Sequence, residues 1–269
     1  MTGASWTGTL RIMSERYRVG LIVPSSNVTM ETEIPELLRR REGIRPERFT
    51  FHSSRARMRT VSAEELARMV SEGERCTGEL ADARVDVIAY ACLVAVMAGD
   101  GGGHRVAEQQ LARIAAANGA DVPVVSSAGA LVDALHALGA RRIAVVAPYV
   151  RSLTETVCGY IRAEGVEVVD AISLEVADNV AVGRIPAAQL RDAVRRVDRS
   201  RADALVLSSC VQMPSLSILQ EIEDEVGLPT LSAATATTHA ILRALGLEAV
   251  VPQAGRLLAA PVAAPVPSG

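Results

Sequence analysis

Cys92 and Cys210 are the residues of this chain best placed to do chemistry, because each closes an apolar, strand-like run: "DVIAYAC" in one case and "DALVLSSC" in the other. A cysteine beside a strand is in general an inert core residue, and either one alone could be that. Their matching placement favours a working pair, since two similar halves facing each other would bring both thiols to opposite sides of one cleft. Two facing thiols can act without a metal or organic cofactor. One, as thiolate, attacks carbon or removes a proton, while the other supplies or takes a proton on the opposite face or at the neighbouring carbon. Such attack needs an electron sink. A carboxylate held by several N–H and O–H donors provides one by stabilising enediolate-like charge. The remaining cysteines, Cys76 in "SEGERCTGEL" and Cys158 in "TETVCGYIRAEG", fall inside helical patterns and read as core. No CxxC or Cys/His ligand spacing occurs, so structural zinc and disulfides are poorly supported.

The elements that must position the pair are legible as an alternation. Short β-branched runs lie at 17–24, 85–94, 122–126, 141–148, 166–172, 202–210 and 228–232, and stretches with apolar residues three and four apart lie at 63–81, 105–118, 128–138, 151–164, 187–199 and 234–245. Continuous apolar strands alternating with amphipathic helices indicate an α/β fold with parallel sheets covered on both faces. A weak repeat divides the chain further: "RVGLIVP" parallels "RIAVVAP", "DVIAYAC" parallels "DALVLSSC", and "VPVVSSAGALVDALHALG" parallels "LPTLSAATATTHAILRALG". We therefore expect two pseudo-symmetric Rossmann-like halves, 18–135 and 136–250, with the site between them and the last helix of each half packing toward the other. Residues 1–17 read as an N-terminal extension and 251–269 as an Ala/Pro-rich tail.

In open parallel sheets ligands bind beyond the carboxyl ends of the strands. The segments there, such as "PSSNVTME", "SSAGA", "PYVRS", "ADNVAVG", "SCVQMPS" and "SAATATT", are rich in hydroxyls, amides and thiols and nearly lack charge. They suit a carboxylate held by neutral donors and helix-start N–H groups. Ser126, Ser127 and Thr235 could join such donors, but Ser/Thr at a strand end commonly caps the next helix. His104, after the glycines at 101–103, reads as a loop anchor or helix start before it reads as a general base. His52, Arg55, Arg57 and Arg59 in "FHSSRARMRT" read as a solvated basic turn, and the glycine run matches no nucleotide-binding loop.

Composition bounds the partners. Of 269 residues 49% are hydrophobic and only 3% aromatic, and 28 Lys+Arg are interspersed with 31 Asp+Glu for a net charge of −3. That pattern leaves no basic footprint for nucleic acid or an anionic membrane. The first residues lack a signal-peptide core, and the longest apolar stretch falls short of the ~18–20 residues that span a bilayer. A small molecule is the expected partner and the cytoplasm the expected compartment.

"RVGLIVPSSNVTMETEIPELL", "YACLVAVM", "APYV" and "SSCVQMPSL" together resemble the maleate cis–trans isomerases of the aspartate/glutamate racemase and arylmalonate decarboxylase superfamily, over about Tyr17 to Gly246. The resemblance implies a cofactor-independent enzyme acting on maleate, working as a homodimer. It further implies that Cys92 adds to an olefinic carbon, that Cys210 handles a proton, and that Asn27, Tyr149 and Asn179 grip the carboxylates. Asn27 could instead merely cap a turn. The loop "AGDGGGHR" departs from the family's pattern and brings Asp100 near where a dianion would enter. A two-thiol amino-acid or hydantoin racemase is the alternative enzyme, and a dicarboxylate-binding protein without catalysis is the alternative from another class.

Overall fold

Runs that are apolar at every position become strands buried on both faces. The computed structural model describes residues 15–59, 62–99 and 101–260. Chain order is β1 (Arg16–Pro24), α1 (Met30–Glu42), β2 (Arg48–Ala56), α2 (Ala63–Asp82), β3 (Val87–Tyr90), α3 (Leu93–Met97), α4 (Gly103–Ala117), β4 (Val124–Ser126) and α5 (Ser127–Ala137). It continues with β5 (Arg142–Ala147), α6 (Arg151–Ala163), β6 (Glu167–Ser173), α7 (Asn179–Val182), α8 (Ala187–Arg196), β7 (Ala204–Ser208), α9 (Leu216–Val226), β8 (Thr230–Ser232) and α10 (Ala233–Ala244). β3 and β7 are buried at every residue, as central strands of a doubly covered parallel sheet must be.

Among the described residues the strands form two four-stranded sheets, ordered β2-β1-β3-β4 and β6-β5-β7-β8. Every pairing within them is parallel. Each strand of the first sheet has its counterpart four strands later in the second. β3, which leads to Cys92, thereby corresponds to β7, which leads to Cys210. The α/β class and the parallel sheets flanked by helices are those expected. α10 packs against α5 and also touches β3 and β4 of the first sheet, and a buried bond from Thr237 Oγ1 to Ser127 Oγ (3.0 Å) joins the two helices.

Local signals start the helices where the site needs them. Ser126 Oγ accepts from Gly129 N–H (3.0 Å) and caps α5, and Ser232 with Thr235 forms a reciprocal capping box on α10. The capping reading of Ser126 and Thr235 therefore holds. Gly129 is needed for space: a Cβ there would sit 2.6 Å from Glu108 Oε1 and 2.8 Å from His104 Cδ2. Glu108 Oε1 already accepts from Ser126 N and Oγ, at 2.8 and 2.6 Å, so it cannot yield freely. Gly129→Ala is expected to destabilise the fold by about 1–3 kcal/mol, read as a lowered urea midpoint at unchanged m-value.

Two expectations are corrected. The run 85–94 is a strand only to Tyr90, and from Leu93 it turns into α3, because a short apolar run fits a strand or a buried helical turn equally well. "FHSSRARMRT" is for the most part no solvated turn: residues 51–56 belong to β2, an edge strand paired with β1 over nine positions, Arg16↔Arg48 through Pro24↔Ala56. Polar side chains occupy β2 because an edge strand meets water along one side. The helices α1 and α9 also go beyond the expected set, and α1 carries Pro35 inside it. Arg41 of α1 is 1% exposed and donates to Glu248 O (2.7 Å) and Val250 O (2.9 Å), which holds the segment after α10 against the body; Val251 and Leu258 of that segment are buried. No described helix is long and apolar enough to cross a membrane.

Candidate active site

Cys92 stands two residues past β3 and occupies the N-cap position of α3, with φ −142° and ψ 79°. It is 1% exposed. Burial pushes its thiol up to about 12, the Ala95 N–H facing the sulfur pulls the other way, and a charge on Cys210 would raise it further. A charge on one sulfur is thus felt at the other. Cys210 stands two residues past β7 and is also buried. Its thiol too is raised by burial, opposed by the Tyr149 hydroxyl and by the N–H groups of Gln212 and Met213. The Gln212 N–H reaches the sulfur at 3.4 Å.

Tyr149 lies just after β5, the counterpart of β1, and its hydroxyl donates to Ser209 O at 3.3 Å while lying against the Cys210 thiol. Burial first and Cys210 second hold its pKa well above the usual phenol value, so it works as a neutral donor. Asn27, after β1, is fully buried, and its two ends do different jobs. Oδ1 accepts from Thr29 N–H (3.0 Å) and Met30 N–H (3.1 Å) at the start of α1. Nδ2 is buried and finds no acceptor among the described residues. The capping reading and the ligand reading of Asn27 are therefore compatible. A buried amide N–H left without a partner costs about 1–3 kcal/mol, which an acceptor on a ligand would recover.

Asn179 is the first residue of α7 and is buried; its Nδ2 donates to Ser26 Oγ at 2.7 Å, across from the turn that carries Asn27. One of its two amide hydrogens is thus already committed. Ser26 Oγ in turn donates to Met58 O at 2.7 Å.

Other candidates fall elsewhere. His104 is buried near the start of α4, its Nδ1 2.6 Å from Tyr160 Oη, and its backbone N–H donates to the same hydroxyl at 3.1 Å. That is the anchoring role, tying the loop after α3 to α6, and Glu164 reinforces it by accepting from Gly102 N–H (2.6 Å). Asp100 lies outside the described residues. Ser127 bonds Thr237 as described above. Cys76 and Cys158 are buried within α2 and α6.

The roles of two residues are not legible in the sequence. Arg55 of β2 donates to Ser25 O (2.9 Å) and Asn27 O (2.5 Å), bracing the turn from outside. Gln212, two residues past Cys210, reaches across to the same turn. Its position inside "SCVQMPS" was a signal, but nothing in the residue type alone announces a crossing.

The family model for arylmalonate decarboxylase matches residues 19–258. A maleate isomerase of Pseudomonas putida is 56% identical over 246 residues, 91% of this chain and 98% of that protein. A maleate isomerase of Geobacillus stearothermophilus is 54% identical over 247 residues, with the same shares covered. In structure, a mutant of the maleate cis–trans isomerase of Nocardia farcinica, carrying a covalently bound succinylcysteine intermediate, superposes with a TM-score of 0.87 at 53% identity, over 90% of this chain and 98% of that one. With two buried thiols beyond equivalent strands and relatives matched along nearly their whole length, this chain belongs to the arylmalonate decarboxylase family and, within it, to the maleate isomerases.

Proposed function

We propose that this enzyme converts maleate to fumarate by reversible addition of the Cys92 thiolate, with Cys210 as its proton partner. The observation that carries the reading is the pairing of two buried thiols in a site whose other polar groups are neutral donors. The succinylcysteine of the Nocardia farcinica relative supports the covalent route.

Maleate binds with its double bond between the sulfurs and its carboxylates at Asn27 Nδ2, the Tyr149 hydroxyl, Asn179 and nearby backbone N–H groups. The Cys92 thiolate forms a bond to one olefinic carbon. The π pair moves toward the far carboxylate as an enediolate, and the Cys210 thiol delivers its proton to the second carbon, leaving a succinyl thioether and a Cys210 thiolate. The former double bond is now single and rotates, relieving the repulsion between the cis carboxylates. Cys210 takes the proton back, the carbon–sulfur bond breaks, and fumarate leaves with Cys92 again a thiolate. Nothing is consumed, so no cofactor is required. The reading extends to a site between halves 18–135 and 136–250 and to a homodimer in the cytoplasm.

The test is direct: maleate incubated with the protein is followed by proton NMR, where the fumarate singlet should grow. Exchange of an amino-acid α-proton in D₂O without any fumarate would point instead to the two-thiol racemase.

The raised Cys92 thiol also sets a pH dependence. The reactive form is the thiolate, and burial moves its ionisation upward, so the reactive fraction of free enzyme is small at neutral pH and grows as pH rises. Log kcat/KM should therefore climb with a slope near one from about pH 6 to about pH 9. A plateau already reached at neutrality would show the nucleophile to be ionised there, against the upward shift that burial imposes.

A further inference from the structure

Gln212 is 1% exposed, and each end of its amide is engaged across the cleft wall. Its Nε2 donates to Ser26 O and to Asn179 O, each at 3.0 Å, and its Oε1 accepts from Val28 N–H at 2.9 Å. Its main chain is tied as well: the N–H points to Cys210 Sγ (3.4 Å) and the carbonyl accepts from Thr29 Oγ1 (2.6 Å). One residue therefore touches both neighbours of Asn27 in sequence, the backbone of Asn179, and the sulfur of Cys210.

Gly183, just after α7, gives an independent sign that this arrangement is built in. Its φ of −66° is open to any residue, so the backbone does not call for glycine. Space does. A Cβ at 183 would lie 2.7 Å from Gln212 Nε2 and 3.2 Å from its Cδ. The gap at 183 fits the Gln212 amide, which three hydrogen bonds hold in place.

We propose that Gln212 is a positioning residue that sets the distance of Cys210 from Asn27 and Asn179, and so lets one bound dicarboxylate meet all three. This rests on the function proposed above. Only a terminal amide meets the demand. A carboxylate would set one of its oxygens against two carbonyls, and an apolar side chain of the same length would orphan two acceptors and one donor. The proposal also makes residues 183 and 212 energetically coupled, although neither is placed on the substrate.

A double-mutant cycle in the full-length protein tests this, with maleate as substrate, kcat expressed per folded molecule and melting temperatures recorded for each variant. Gly183→Ala should lower kcat by at least about tenfold and raise KM by at least about threefold, because Cys210 loses register with the substrate and the two asparagines lose theirs with the carboxylates. In the Gln212→Ala background the same glycine change should cost less than about twofold, since no amide is left to displace. Loss of stability alone would reduce the folded fraction without moving KM. If Gln212→Ala does not yield folded protein, Gln212→Val, whose side chain ends short of the Cδ and Nε2 positions that face Gly183, replaces it in the cycle. Equal effects of Gly183→Ala in both backgrounds, or an unchanged KM, overturn the inference while leaving the isomerase reading intact. Failure of the wild-type protein to form fumarate overturns the reading and the inference with it.

Discussion

Cys92→Ala should abolish fumarate formation, with a loss on the order of 10⁴–10⁶ in kcat, as is usual when the nucleophile of a covalent mechanism is removed. The fold should survive, because the change deletes one buried sulfur at the N-cap of α3 and costs on the order of 1 kcal/mol. Mass spectrometry supplies the second readout. Wild-type protein quenched during turnover should carry one succinyl unit on the peptide containing Cys92, and the variant none. Turnover within tenfold of wild type would remove Cys92 from the mechanism altogether. An adduct found on Cys76, which is buried in α2, would point the same way.

Cys210→Ser should separate the two halves of the reaction. A hydroxyl is a far weaker acid than a thiol and is not ionised near neutral pH to take up a proton, so proton delivery slows and removal of the proton from the adduct slows more. Turnover should fall by about 10²–10⁴, the usual worth of a positioned acid–base group. The succinyl adduct on Cys92 should then accumulate. Loss of activity with no adduct in either variant would instead favour a proton-transfer reaction in which neither sulfur bonds to carbon. The Tyr149 hydroxyl, held against Cys210, would remain to bind ligand in the variant. A KM for maleate at or below the wild-type value is therefore expected as kcat collapses, because an accumulating adduct draws KM down.

The strands and their ends were the readable part of this sequence. β3, β5 and β7 are apolar but for Arg142 at the start of β5 and Ser208 at the end of β7, so their positions are plain in the sequence, and the repeat marks Cys92 and Cys210 as counterparts. β2 was hidden because it lies at a sheet edge, where exposed Thr50 and Arg55 and half-buried His52 imitate a basic turn. α3 was hidden because five apolar residues in a row carry no period of their own. Within the site, residue types indicated neutral donors but not how each is divided. Asn179 spends an amide hydrogen on Ser26, and Asn27 spends its oxygen on α1, and both facts depend on segments far apart in sequence or on local backbone direction. Gln212 was unreadable for the same reason, since its three side-chain partners lie 33 or more residues away.

The divided amide of Asn27 has a consequence for selectivity. An asparagine free to turn over can greet an incoming group with either hydrogen or lone pair, and so tells the two apart poorly. Here the start of α1 holds the oxygen end fast, so only the N–H end is left to meet a newcomer. Turning the ring of contacts around would strip two N–H groups of their acceptor, a penalty of about 1–3 kcal/mol for each. The amide is thus polarised like a diode: acceptors pass and donors are refused. A half-amide of maleate that presents its NH₂ at this position would face hydrogen against hydrogen, and the helix that pins Asn27 would be what turns it away.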